Sequence, residues 1–296
     1  MKIKNWLIIL SANLLIAAML IWFYPSTGDF RCDNPFWNGY LNLAEVLRAE
    51  TITDMTRLTS ASKSVALILV PYTPLEDSEL ASIEGFVRKG GVLIIMDDYG
   101  YGNTVLEKLN VGIRFTGKPI LDPLFNYKSP TLPKCIKFSE KIEGVESIVL
   151  NHGSTLNVSG GAEVLAWSSS FSFLDLDGDS DWDPGEPHGP FPVAARVRLG
   201  GGWLIAVSDP SIAINSMLSM DDNMSFIRKV LELHGVVEVL IDQSHIPMSR
   251  LDEAKEVLQT IYSYASSPVG AIAILTLTLI VCLKPLWAEE VKKWTR

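Results

Sequence analysis

Residues 65–103 read VALILVPYTPLEDSELASIEGFVRKGGVLIIMDDYGYGN, and this stretch decides the fold class. Its two continuous apolar runs, 65–70 and 92–96, are typical of strands buried on both faces of a sheet. Between them, residues 74–90 begin with acidic side chains and end in Arg-Lys-Gly, the charge order and C-cap expected of a helix. A strand, a helix and a strand of these lengths predict a βαβ unit.

The segments on either side extend this unit into a larger domain. A helix is predicted after the Trp-Asn-Gly turn at 37–39 and another after the loop at 97–103. Residues 117–145 have weak periodicity and are rich in Pro and Lys, which predicts a long surface insertion. Further strands are predicted at 147–150, 163–168, 193–199, 203–208 and 236–241, and further helices at 223–234 and 249–264. The predicted fold class is α/β, a three-layer sandwich with a mainly parallel sheet.

An uncharged apolar segment lies near each end of the sequence, at 6–24 and 268–283. As a helix, the first would span about 28 Å, close to the ~30 Å hydrocarbon core of a bilayer. A cleaved signal peptide is the alternative for the first segment, and a buried core helix for the second. We expect one transmembrane helix at each end, which gives an anchor at 1–25, a domain at 26–265, and a second span with a basic tail at 266–296.

Charges beside the two apolar segments predict the topology. Positive side chains near the ends of spans stay in the cytoplasm. Such side chains precede the first segment and follow the second: Lys2, Lys4, Lys284, Lys292, Lys293 and Arg296. The expected location is therefore the cell membrane, with two passes, both flanks cytoplasmic and the main domain outside the cytoplasm.

The composition between the two segments limits the possible partners. Six of the 25 Lys and Arg and two of the 34 Asp and Glu lie in the terminal segments, which leaves a net charge of −13 between them. Such a surface disfavours nucleic acid as a partner. The domain has two cysteines, Cys32 and Cys135, which an oxidising exterior would allow to form a disulfide. Unpaired core thiols are the alternative.

The clearest chemical motif is an acidic run at 175–186, DLDGDSDWDPGE. Oxygen-bearing side chains fall at positions 1, 3, 5, 7, 9 and 12, the ligand spacing of an EF-hand calcium loop. The predicted metal ligands are Asp175, Asp177, Asp179, Asp181, Asp183 and Glu186. Position 6 is Ser180 instead of the usual glycine, and prolines exclude an ordinary exiting helix. We expect a structural calcium ion in a loop that closes a β-hairpin at 171–192; a disordered acidic tip is the alternative.

The sequence offers no clear catalytic centre. Acidic side chains follow the predicted strands where α/β folds place their chemistry, and the candidates are Asp97, Asp98, Asp209, Asp242 and His245. A nucleophile elbow would need Ser or Cys between small residues at a strand end, and none is present. No histidine pair or cysteine pair has the spacing of zinc ligands. We therefore assign no catalytic residue and no organic cofactor.

Several motifs together resemble an archaeal, membrane-anchored family known as a domain of unknown function. The matching stretches are WNG at 37–39, GGVLIIMDDYGYGN at 90–103, LDLDGDSDWDPGEPHGPFPVAA at 174–195, GGWLIAVSDPSIAINSML at 201–218 and IDQSH at 241–245. The resemblance implies a flavodoxin-like domain related to class I glutamine amidotransferases. It implies no activity, and no cysteine stands at a strand-to-helix elbow where an amidotransferase would need one.

Two functions from different classes follow from these features. The leading hypothesis is a non-catalytic, calcium-stabilised binding module outside the cytoplasm, which acts with an envelope or transport-associated membrane protein. The alternative is a hydrolase acting on envelope material through an Asp/His site. Convergence of the five candidate side chains on one open pocket would favour the hydrolase, whereas scattered or buried placement would oppose it.

Overall fold

The computed structural model describes residues 3–60 and 63–294, which divide into two compact units. One unit is Pro25–Pro247, and the other contains the described residues before and after it. The helices are α1 (Ile3–Phe23), α2 (Leu41–Leu47), α3 (Asp77–Arg88), α4 (Gly102–Lys108), α5 (Asn223–Leu233), α6 (Arg250–Ser266) and α7 (Pro268–Trp294). The strands are β1 (Glu50–Ile52), β2 (Val65–Leu69), β3 (Val92–Met96), β4 (Ile113–Phe115), β5 (Ile120–Leu121), β6 (Lys134–Cys135), β7 (Lys137–Phe138), β8 (Ile148–Val149), β9 (Leu156–Val158), β10 (Glu163–Trp167), β11 (Phe173–Leu174), β12 (Pro192–Leu199), β13 (Gly202–Val207) and β14 (Glu238–Asp242).

Eight of these strands form a central sheet in the order β1-β14-β2-β3-β13-β12-β10-β7. The neighbours from β1 to β13 pair in parallel, and the three strands beyond β13 pair antiparallel. The predicted α/β class with a mainly parallel sheet is therefore confirmed. The parallel strands all end at one edge of the sheet, here called the carboxyl edge.

The core lies on both faces of this sheet. Every residue of β2 and β3 is buried, as the continuous apolar runs predict. Since successive side chains of a strand point to opposite faces, these residues separate into two apolar clusters. Ile68 and Ile94 belong to the cluster that includes α5, whereas Leu67 and Leu93 belong to the cluster that includes α3 and α4. Helices thus cover the sheet on both sides.

Local sequence signals explain the limits of α3. A capping box joins Glu76 and Glu79 at its start, with the N–H of Glu76 donating to Oε2 of Glu79 at 2.7 Å. The helix ends before Gly90, whose φ of 118° is a conformation that side-chain-bearing residues rarely adopt. This is the end predicted from the Arg-Lys-Gly sequence.

The predicted surface insertion at 117–145 is wrong. This segment contributes β7 to the edge of the central sheet, beside β10, and its β5 and β6 pair with β11 and β8. Ile120, Cys135 and Ile142 are buried in the same cluster as α5. The apolar side chains that reach the core come singly from short strands and turns. The sequence of this segment therefore shows neither the two-residue hydrophobic period of a strand nor the 3.6-residue period of a helix.

The terminal unit consists of α1, α6 and α7. Trp22 of α1 and Tyr262 of α6 meet edge to face, with their ring centroids 5.8 Å apart. In the described part of the chain, no helix on its own combines the length and apolarity required to cross a bilayer. The helices α6 and α7 have the required length and apolarity only when taken together, and the chain bends by 78° between them, at Ser266 to Pro268.

Candidate functional site

The acidic run at 175–186 forms a closed loop between β11 and β12. The carboxylate of Asp175 accepts the N–H of Gly178 at 2.6 Å and the N–H of Ser180 at 3.2 Å. At the other end, the carboxylate of Glu186 accepts the N–H of Leu176 at 2.6 Å and that of Asp183 at 3.2 Å. The first and last carboxylates therefore curl the loop backbone around themselves.

Five of the six predicted ligands gather in two overlapping groups. One contains Asp175, Asp177 and Glu186, and the other contains Asp177, Asp179 and Asp183; in each, the oxygens lie within 4.8 Å of one another. The carboxylate of Asp181 belongs to neither group. At that position an EF-hand loop supplies its backbone carbonyl, so the side chain is not required for coordination.

Backbone shape and charge at this loop fit a cation. Ser180 has a φ of 70°, the left-handed conformation for which EF-hand loops use glycine at the same position. The pKa of Asp183 is raised above its usual value, chiefly by the charge of Asp179 and further by its other acidic neighbours. Oxygen-rich loops of this kind suit a hard cation such as calcium.

The stem of the loop is shorter than the hairpin predicted from the sequence. Phe173 and His188 form one bridge, with the N–H of Leu174 donating to Pro187 at 3.1 Å. β11 pairs mainly with β5, and the regular pairing of β12 with β10 begins only at Trp167 and Pro192. The loop therefore connects strands of two different sheets instead of closing one continuous hairpin.

Two candidate catalytic carboxylates at the carboxyl edge serve as caps for nearby backbone. The oxygens of Asp97 accept the N–H groups of Gly100 and Gly102, each at 2.7 Å. Those of Asp209 accept the N–H groups of Asn151 and Ser211, at 2.6 and 2.7 Å. Burial raises the pKa of Asp97 to about 6 and that of Asp209 to about 7, although the N–H donors oppose both shifts.

Asp98 forms hydrogen bonds with two neighbouring tyrosines at the same edge. It accepts the hydroxyl of Tyr72 at 2.8 Å and the N–H of Tyr99 at 2.7 Å. Burial raises the pKa of Asp98 above its usual value, and these two hydrogen bonds partly oppose the increase. The hydroxyl of Tyr99 in turn donates to the carbonyl of His152 at 2.8 Å. Asp98 is thereby part of a network that joins the loops after the strands.

The predicted pair of Asp242 and His245 exists, and a third residue that the sequence did not indicate completes it. Nδ1 of His245 lies 2.9 Å from Oδ2 of Asp242, and Nε2 lies 3.1 Å from Oε2 of Glu79 on α3. Burial alone would lower the pKa of His245, but the hydrogen bonds and charges of the two carboxylates raise it above 6.5. Both ring nitrogens are therefore occupied within the protein.

The five candidate catalytic side chains are all buried: Asp97, Asp98, Asp209, Asp242 and His245 have at most 7% of their surface exposed. Their polar atoms form hydrogen bonds with the backbone or with neighbouring side chains. The two domain thiols, Cys32 and Cys135, are also buried and are free, without a disulfide. Burial raises the pKa of Cys32 to about 12, which leaves its thiol protonated and unreactive at neutral pH.

Sequence reasoning missed a small pocket beside Asp209. Its lining includes Trp37, which the sequence indicates only as part of a turn, together with Asn38 and Asn151. A tryptophan flanked by asparagine in a polar turn was the available signal. The turn alone, however, did not show which distant residues would complete a pocket.

The fold defines an α/β protein with a mainly parallel central sheet, and comparison with known proteins places it in a family. Residues 33–231 match the family described as Domain of unknown function (DUF4350), and the chain belongs to this family. The curated proteins include no significant match.

Solved structures show similarity in fold. The mmIFT52 N-terminal domain superposes with a TM-score of 0.55 at 16% identity, covering 72% of this chain and 96% of that domain. A cytoplasmic protein from Salmonella typhimurium LT2 gives a TM-score of 0.40 at 14% identity, covering 64% of this chain and 78% of that protein. A β-galactosidase from Bacillus circulans sp. alkalophilus gives a TM-score of 0.38 at 17% identity, covering 58% of this chain and 23% of that enzyme. At 16% identity, the likeness to the mmIFT52 N-terminal domain concerns the fold alone.

Proposed function

We propose that this chain is a non-catalytic binding module, held at the cell membrane by its terminal helices and stabilised by a calcium ion in the loop at 175–186. The observation that carries the proposal is the convergence of Asp175, Asp177 and Glu186 to within 4.8 Å in a loop with EF-hand ligand spacing. Fixed carboxylates at this distance repel one another, so a divalent cation would stabilise the loop.

The state of the carboxyl edge supports a binding role over hydrolysis. A general base must reach a proton on the substrate, directly or through one water. His245 has a carboxylate on each ring nitrogen, at 2.9 and 3.1 Å, so neither nitrogen is free to take that proton. Asp97 and Asp209 are likewise occupied by backbone N–H groups. The hydrolase alternative would require these contacts to break.

Localisation is a second part of the proposal. The charges flanking 6–24 and 268–283 favour two spans with the domain outside the cytoplasm, where calcium is often millimolar and weak affinity is enough. The resemblance to a membrane-anchored, amidotransferase-like archaeal family points the same way. A membrane-impermeant maleimide should label Glu140→Cys in intact cells, because Glu140 is exposed and the native domain thiols are buried. Labelling that appears only after lysis would refute this topology.

Calcium titration of the full chain tests the metal site. We expect saturable heat, and at about 100 times the Kd an increase in stability of ~2.7 kcal/mol, or about 5–10 °C in Tm. The double variant Asp177→Ala/Glu186→Ala should lose both effects. Asp181→Ala is the matched control, since it removes a loop carboxylate that lies outside both groups.

Absence of heat and of stabilisation at millimolar calcium would refute the calcium site. If calcium binding falls equally in the double variant and in Asp181→Ala, the overall negative charge of the loop, and not the two carboxylate groups, attracts the ion.

The proposed partner, a membrane or envelope protein, is tested by crosslinking in native membranes. Failure to recover a reproducible partner would contradict that part of the proposal.

A further inference from the structure

The pocket beside Asp209 is a concave site on the domain, separate from the acidic loop. It is open to solvent on one side and has a volume of about 150 Å³. Its lining includes Asp29, Trp37, Asn38, Asn151 and Ser211. Pockets for drug-sized ligands measure roughly 300–1,000 Å³, so this one has room for a single small ring.

An exposed indole forms one wall of the pocket. Trp37 is 66% exposed, although tryptophan is usually well covered in a folded domain. Its backbone is fixed, because its carbonyl accepts the N–H of Ser216 at 3.0 Å. The carboxamide of Asn215 binds the carbonyls of Asn34 and Phe36, at 3.0 and 2.6 Å, and so holds the turn from below. The indole is thus presented on a rigid turn, which lowers the entropy cost of binding.

Polar groups in the pocket remain available to a ligand. The side chain of Asn151 hydrogen-bonds to no other residue in the described chain, while its backbone N–H is fixed by Asp209 at 2.6 Å. The amide of Asn38 donates to the carboxylate of Asp29 and to the carbonyl of Thr27, so the carboxylate is oriented and still has acceptor capacity. The pocket therefore offers a free carboxamide and a positioned carboxylate beside the indole.

We propose that this pocket binds one neutral sugar ring. The flat indole can cover the apolar C–H face of a pyranose, while Asn151 and Asp29 bind its hydroxyls in the plane of the ring. Among the described residues that line the pocket there is no Lys or Arg, and the carboxylate of Asp29 opposes phosphate and other anions. A neutral ring with one apolar face can pack on the indole and use its hydroxyls to bind the carboxamide and the carboxylate.

This inference rests on the proposed role as a binding module, but it does not depend on the calcium loop. The two can fail separately. If the native chain binds sugar but not calcium, only the proposed metal site is overturned. If it binds calcium but not sugar, only the proposed sugar pocket is overturned.

Saturation-transfer NMR on the full chain tests the pocket, with methyl α-pyranosides of glucose, galactose and mannose as probes. The detergent must be a sugar-free amine oxide, because a maltoside would compete for the site. We expect transfer to the C–H face of at least one probe, with a Kd of roughly 1 mM, as for a ligand of about thirteen heavy atoms. Trp37→Ala should reduce the transfer at least fivefold.

Two further variants make the assignment specific. Trp182→Ala is the matched control, since Trp182 is also a partly exposed tryptophan, 45% exposed, but lies in the acidic loop. It should leave the transfer unchanged. Asn151→Ala should weaken binding about tenfold without changing Tm, because its side chain supports no described contact. Absence of transfer from all three probes at about 10 mM, or equal transfer in Trp37→Ala, would overturn the proposal. Binding of tetramethylammonium at Trp37 in place of the sugars would overturn the ligand class.

Discussion

The carboxyl edge of the sheet and the loop at 175–186 both concentrate aspartates, but the aspartates in the middle of the loop differ from those at the edge. At the edge, Asp97 and Asp209 are buried and each oxygen accepts a backbone N–H. In the loop, Asp177, Asp179 and Asp183 are exposed and face one another. Internal donors therefore make the edge carboxylates structural. Among the described contacts, the three exposed loop carboxylates accept at most one backbone N–H each, and the proposed calcium ion would supply the missing positive charge.

The largest effect should come from removing an edge carboxylate. Asp209→Ala leaves the partly buried N–H groups of Asn151 and Ser211 without their acceptor, so we expect a loss of about 2 kcal/mol in the free energy of unfolding, with or without calcium. Urea denaturation measures this loss. Asp209→Asn keeps one acceptor and should lose less. An Asp209→Ala variant as stable as the native chain would break the comparison, because the edge carboxylate would then have no structural role.

A smaller effect, dependent on pH, should follow the removal of an internal cation. Since the pKa of His245 is raised in the folded chain, its contribution is complete below about pH 6.5 and is lost as the pH rises through the folded value. His245→Gln should therefore lower stability by about 1–2 kcal/mol at pH 5.5 and by much less at pH 9. Thermal unfolding across this range measures the difference. A loss that grew with pH would reverse the assigned charge state.

The smallest effect should sharpen the assignment of the loop. Ser180 has a φ of 70° at the position where EF-hand loops use glycine. Ser180→Gly removes the strain of that conformation, so calcium affinity should increase about two- to fivefold, or by roughly 0.4–1 kcal/mol. Calorimetry compares the two affinities. Weaker binding in Ser180→Gly would show that the loop does not bind calcium with EF-hand geometry.

The sequence predicted regular elements better than irregular ones. The apolar runs of β2 and β3 and the caps of α3 are local signals, and the structure has all three elements close to their predicted limits. The segment at 117–145 contains single buried residues such as Cys135, whose burial depends on partners far along the chain. No local period records such contacts, so the prediction of a surface insertion failed there.

The candidate sites divide in the same way. Sequence spacing alone predicted the six acidic side chains of the loop as candidate ligands, because ligand spacing in a short loop is a local property, and the structure brings five of them together. It also identified Asp242 and His245, but not Glu79, which lies 166 residues from His245 in the sequence and reaches it only through the fold.

By itself, the sequence determined the α/β class, the buried parallel strands and the acidic loop, since each depends on neighbours within about a dozen residues. Only the tertiary structure decided that the edge carboxylates are satisfied by backbone donors and that Trp37 meets Asn151 in one pocket. Burial and hydrogen-bond partners are long-range properties, and they separate a structural carboxylate from one that is free to bind a ligand.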